Sequence, residues 1–75
     1  MKTAIVVLNY NLPALTDQTC ADIISRTKSD YDLYVIENGS GPNNLSKYCT
    51  NYIDTNLWVS GGLNYGIRLA MEKED

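Results

Sequence analysis

The run Thr3-Ala4-Ile5-Val6-Val7-Leu8 is apolar, largely β-branched and free of alternation. A strand with one face in water alternates polar and apolar residues, whereas this one asks to be covered on both faces. Strands of that kind belong to parallel sheets, whose crossover helices lie above and below. The remainder of the chain must therefore supply more strands and the helices that cover them.

It carries the signals for both. Asn9-Tyr10-Asn11-Leu12-Pro13 reads as a loop, with Pro13 suited to the first turn of a helix. Leu12, Leu15, Thr19, Ile23 and Ile24, with Cys20 beside them, recur at helical spacing and predict an amphipathic helix to about Thr27. Asp30-Tyr31-Asp32 interrupts the pattern, and a second strand is expected over Leu33 to Glu37, followed by the turn-rich segment from Gly39 to Asn44. A short helix is expected over roughly Asn43 to Cys49, turning Leu45, Tyr48 and Cys49 inward. A brief third strand over Tyr52 to Thr55 follows. Ser60 then caps a last helix in which Leu63, Gly66, Ile67, Ala70 and Met71 form one apolar stripe. Strand and helix alternating three times define an α/β fold: a small three-stranded parallel sheet with helices on both faces.

Seventy-five residues allow one domain spanning 1–75. A chain this short buries only about 60% of its unfolded surface, so its core alone stabilises it marginally. Cys20 and Cys49 do not make a disulfide framework, and without histidine there is neither a zinc cluster nor a Ser/His or Cys/His nucleophile. The cysteines read as reduced core thiols. A net charge of −3, with basic residues scattered, excludes nucleic acid, which requires clustered Lys and Arg. The apolar run from Ala4 to Leu8 is far short of the ~20 residues of a membrane span and of a signal peptide. Asn38-Gly-Ser and Asn44-Leu-Ser match the glycosylation sequon and read as turn chemistry. The expected setting is the cytoplasm.

Chemistry is expected at one rim. The loops Asn9-Tyr10-Asn11, Glu37-Asn38-Gly39-Ser40 and Asn56 to Gly62 each follow a predicted strand, and in a parallel sheet such loops converge where ligands bind. Glu37 is a hydrogen-bond acceptor at the carboxyl end of an apolar strand. No glycine follows the first strand, so the dinucleotide fingerprint is absent, as is a P-loop. Taken singly, Asn and Gly in these loops also serve simply to build turns.

In register, three segments resemble a known family: Val6-Val7-Leu8-Asn9-Tyr10-Asn11, Val35-Ile36-Glu37-Asn38-Gly39-Ser40, and Asn56-Leu57-Trp58-Val59-Ser60-Gly61-Gly62-Leu63-Asn64-Tyr65-Gly66-Ile67. They are similar to the opening of family 2 glycosyltransferases of the GT-A fold, most of all the rhamnosyltransferase-like branch. The resemblance covers essentially the whole chain. It implies the front half of a Rossmann-like GT-A domain that binds a nucleotide-diphosphate-sugar donor. The loop Asn9-Tyr10-Asn11 would wall the nucleoside with its backbone. Glu37, one methylene longer than the Asp usual in the family, would accept from base or ribose beside Asn38. The segment from Trp58 to Asn64 would close over the base, with Gly61 permitting close approach. Trp58 stands where the family often has Gly, and has two readings: stacking on the base, or covering a small core.

The family's metal-binding Asp-x-Asp and its catalytic base come later than the third helix. Asp30-Tyr31-Asp32 precedes the second strand and is in the wrong place. The expectation is therefore no catalytic and no metal-ligating residue here, a divalent Mn or Mg only with a C-terminal part, and little or no activity alone. The alternative is a non-enzymatic α/β module that binds a nucleotide or a partner chain, or a remnant that binds nothing. The outer edge of the first strand is expected to be unpaired and covered by a second copy or a complementing chain.

Overall fold

The computed structural model describes residues 3–73. Three strands, β1 (Thr3–Asn9), β2 (Tyr31–Asn38) and β3 (Asn51–Ile53), pair in parallel in the order β1-β2-β3. Helix α1 (Pro13–Arg26) connects β1 to β2, and α2 (Trp58–Lys73) follows β3. The expected α/β class and the parallel sheet are present, with two helices rather than three.

Because side chains alternate along a strand, the sheet has two distinct faces. Val6, Leu8, Ile36 and Asn38 lie beneath α2: a Cβ on Gly62 would stand 2.7 Å from Asn38 Nδ2 and 3.1 Å from Leu8 Cδ1, and one on Gly66 would press into Val6. Asn9 and Glu37 point to the other face, where α1 meets Asn9 through Thr16. The helices therefore sandwich the sheet. Tyr34, Ile36 and Ala70 centre the core under α2, with Ala4, Val6, Leu8, Ile53 and Leu69 packed around them. Val35, Ile36 and Cys20 are fully buried.

The segment 43–49 forms no helix. Asn44 N–H donates to Gly41 O and Cys49 N–H to Ser46 O, which closes isolated turns instead. A helix of seven residues has little beyond its unfavourable nucleus to stabilise it. Here two carboxylates distant in sequence claim its amides: Ser46 N–H donates to Glu37 and Lys47 N–H to Asp17. Ser46, not Leu45, is the buried residue, and Leu45 is exposed.

Other boundaries also shift. β2 begins at Tyr31, inside the expected break, because Thr3–Asn9 offers a pairing partner as far back as Thr3↔Tyr31. β3 starts one residue early and stops at Ile53. α2 starts at Trp58 rather than after Ser60. In α1 the buried positions are Thr16 and Cys20, so the expected stripe is rotated and Leu12, Leu15 and Ile24 stay exposed. In α2 the sheet-facing line is Gly62, Gly66 and Ala70, which leaves Leu63, Ile67 and Met71 outside.

Candidate functional site

The register Asn9↔Glu37 places an amide beside a carboxylate at the carboxyl ends of β1 and β2. Both side chains are buried and point to the α1 face. Asn9 Nδ2 donates to Glu37 Oε1 at 2.7 Å and to Asn44 O at 3.0 Å. Asn9 Oδ1 accepts from Thr16 Oγ1 at 2.7 Å and from Leu12 N–H at 3.2 Å. Leu12 supplies no side-chain cap to α1, and Asn9 satisfies the Leu12 N–H one residue ahead of the helix. The other Glu37 oxygen accepts from Ser46 N–H. Ser46 Oγ in turn donates to Asp17 Oδ1 at 2.6 Å. Glu37 is thus an internal acceptor that holds the 43–49 crossover against β1 and α1.

Asn38 is as completely engaged on the opposite face. Its Oδ1 accepts from Leu57 N–H at 2.9 Å, and its Nδ2 donates to Trp58 O at 2.9 Å. These two bonds fasten the start of α2 to β2, and Asn56 Oδ1 caps Trp58 N–H at 2.7 Å. Ser60 is not the cap, because these amides reach α2 one half-turn earlier.

The β1 and β2 loops are tied into one surface. Asn11 N–H donates to Ser40 Oγ at 3.0 Å, Gly41 N–H to Asn11 Oδ1 at 2.8 Å, and Tyr52 OH to Ser40 O at 3.3 Å. Gly39 turns there with φ +82° and lies so close to the Thr55–Asn56 backbone that no Cβ fits. Asn11 adopts φ +56°, which its short polar side chain tolerates.

Of the six residues singled out from the sequence, Asn9, Glu37 and Asn38 are therefore inward-facing members of the scaffold. Tyr10 and Trp58 are exposed, at 48% and 76%, and Gly61 is half-buried beneath Leu57. Trp58 covers no core. It adopts φ +62°, a left-handed conformation that is an outlier for so bulky a residue. Missed by sequence reasoning were Thr16, Asp17 and Ser46. A Thr one turn into α1 and an Asn-x-Ser turn are common enough to carry no signal until the fold brings them beside Asn9 and Glu37.

The two thiols are separate, and both are pushed up from their usual value. For Cys20 the cause is burial and then Asp17; for Cys49 it is burial and then Glu37, partly offset by a hydrogen bond with the Asn51 backbone. Among the described residues no three His, Cys, Asp or Glu side chains group as metal ligands, and no helix is long and apolar enough to cross a membrane. A groove of about 480 Å³ runs beside α2, lined by Leu57, Gly61, Asn64, Tyr65, Arg68 and Glu72 among others. No protein-family model, curated protein or solved structure matches the chain.

Proposed function

We propose that this chain is the nucleotide-binding front half of a glycosyltransferase of the family 2 type, and that it holds the nucleoside diphosphate of a sugar donor at the rim of the sheet. The observation that supports this reading is the tying of the 9–11 and 38–41 loops into one surface beside the start of α2. Ligands of open parallel sheets bind at that rim. Asn38 and Asn56 already take the Leu57 and Trp58 N–H groups, so an anion such as a diphosphate would meet α2 through the amides of the turn beyond them. Since Asn9, Glu37 and Asn38 are engaged internally, contact falls to Tyr10, Trp58 and exposed backbone. Glu37 acts one step back, by holding Asn9, the neighbour of Tyr10, and the 43–49 crossover in place. Transfer itself requires a divalent cation and a base, which the resemblance assigns to a segment after α2. The cytoplasm, where two unpaired thiols stay reduced, is the proposed setting.

The test is calorimetric titration with uridine and thymidine diphosphates, with and without Mg, followed by mapping of amide chemical shifts. Saturable binding is expected, with shifts at Tyr10, Asn11, Gly39, Gly41 and Trp58 to Gly61. Absence of heat at millimolar ligand, or shifts confined to the groove around Arg68, overturns the reading.

A further inference from the structure

We infer that the free edge of β1 is a dimer seam: two copies pair β1 with β1, antiparallel across a two-fold axis at Val6, and their α2 helices pack against each other over the seam. The inference draws nothing from the nucleotide reading, in which a segment after α2 is a rival occupant of the same edge, and rests on four features of the molecule.

The first is the edge itself. β1 is outermost in the sheet, seven residues long, and carries neither charge nor proline. Charges, proline and shortness are the usual means of blunting an edge. β3, the other edge, has three residues and runs into Asp54. Thr3 N–H donates to Asp30 O, toward β2, so along an extended strand the N–H and C=O groups of Ala4, Val6 and Leu8 point outward.

The second is an apolar flank on α2. Leu69 packs against the cluster of Tyr34, Ile36 and Ala70, so its flank of α2 is the one turned toward β2. At 100° per residue, Leu63, Ile67 and Met71 are turned about 120–160° from Leu69, above and beyond β1, and Val59 continues the same i, i+4 row toward the start of the helix. In that order they are 37, 49, 74 and 68% exposed, and none is charged.

The third is distance. α2 sits over the gap between β1 and β2, in reach of Val6 and Leu8 on one and Ile36 and Asn38 on the other. A two-fold axis half a strand spacing outside β1 sets the two α2 helices two spacings apart, about 9.6 Å for strands ~4.8 Å apart. Packed helices lie ~8–10 Å apart. The glycines at 62 and 66 keep each helix low enough on the sheet to share that layer.

The fourth is register. Pairing about Val6 opposes Thr3 to Asn9 and Ala4 to Leu8, with the outward groups of Ala4, Val6 and Leu8 facing one another as hydrogen-bonded pairs. The α2 flank runs antiparallel to its copy, so Val59 meets Met71 and Leu63 meets Ile67, symmetric about position 65. Gly66 rests directly on Val6, so helix and strand share nearly one centre of symmetry. A surface complementary to itself in this way suits a closed two-fold interface.

The test combines sedimentation with amide hydrogen exchange. The chain is expected to be a dimer at micromolar concentration, with the Ala4, Val6 and Leu8 amides protected in proportion to the dimer population. Ile67→Lys, which places a charge in the seam, should weaken association by about tenfold or more with the circular dichroism unchanged, and release those three amides. Should that variant lose helicity, Met71→Lys, at the more exposed end of the flank, gives the same reading. A monomer at millimolar concentration overturns the inference. So does a dimer that survives both variants, or one in which those amides exchange freely.

Discussion

The two faces of this sheet are held in different ways. Under α2 the contact is apolar and close: Gly62 and Gly66 bring helix backbone onto Val6, Leu8 and Ile36, and Ala70 completes the line. Under α1, at the carboxyl end, the interior is polar: Asn9, Thr16, Glu37 and Ser46 are buried and bonded to one another or to the backbone. The first face is stabilised by area removed from water and tolerates no added volume. The second is stabilised by mutual satisfaction of groups that are costly to bury alone, and tolerates no deletion. A sheet with one face of each kind gains most of its cohesion on the α2 side and fixes its rim loops on the α1 side.

The sharpest way to break that comparison is to add volume on the α2 face. Gly66→Val puts a Cβ into Val6 and branches it, in a helix whose neighbouring contacts leave no room. Overpacking typically costs about 1–3 kcal/mol and sometimes more. The two β-branched side chains here cannot rotate apart, so we expect at least ~3 kcal/mol by urea denaturation. In a 75-residue domain with ~4–11 kcal/mol in total, that is about a quarter to three quarters of the stability. A loss under ~1 kcal/mol would show that α2 is not seated closely on β1.

Deletion on the α1 face comes next in size. Glu37→Ala leaves Ser46 N–H without its acceptor and Asn9 Nδ2 with Asn44 O alone, in a buried setting. At ~1–3 kcal/mol for a stranded buried group, partly relieved by water entering, a loss of about 2–3 kcal/mol is expected. Glu37→Gln retains one acceptor oxygen but turns an NH2 toward a donor, so it should fall between wild type and Glu37→Ala. Denaturant midpoints rank the three proteins, and the Ser46 amide shift reports which bond is lost. Equal stability of all three would mean that the polar face merely fills space.

The comparison also explains what could be read without the fold. β1, β2 and both long helices follow from period and β-branching, which act within a few residues. The fate of 43–49 does not, because Asp17 and Glu37 reach it from nearly 30 and about ten positions away and take the amides a helix needs. The apolar stripes of α1 and α2 are displaced in angle: the buried residues of the two helices are Thr16, Cys20, Gly62, Gly66 and Ala70, which are small. Size governs which side of a helix approaches closely, while hydropathy alone favours Leu15, Leu63 and Ile67. Glu37 was legible as an acceptor at a strand end. That its partners are Asn9 and Ser46 depends on a register no local pattern encodes.

The smallest expected effect concerns the joint between the two faces, where Asn38 fastens α2 to β2. Trp58 sits there at φ +62° with its ring 76% exposed, so it combines a strained backbone with little burial in return. A left-handed conformation costs an L-residue roughly 1–2 kcal/mol relative to glycine. Trp58→Gly removes that strain but frees the unfolded chain, and a net gain of about 0.5–1 kcal/mol in thermal denaturation is expected. Trp58→Ala is the control: it deletes the ring and keeps the strain, so it should not be stabilised. If the ring also stacks on a nucleotide base, both variants should weaken uridine diphosphate binding to a similar degree while differing in stability. A destabilised Trp58→Gly would instead mean that the ring, despite its exposure, contributes more to the fold than the backbone loses at φ +62°.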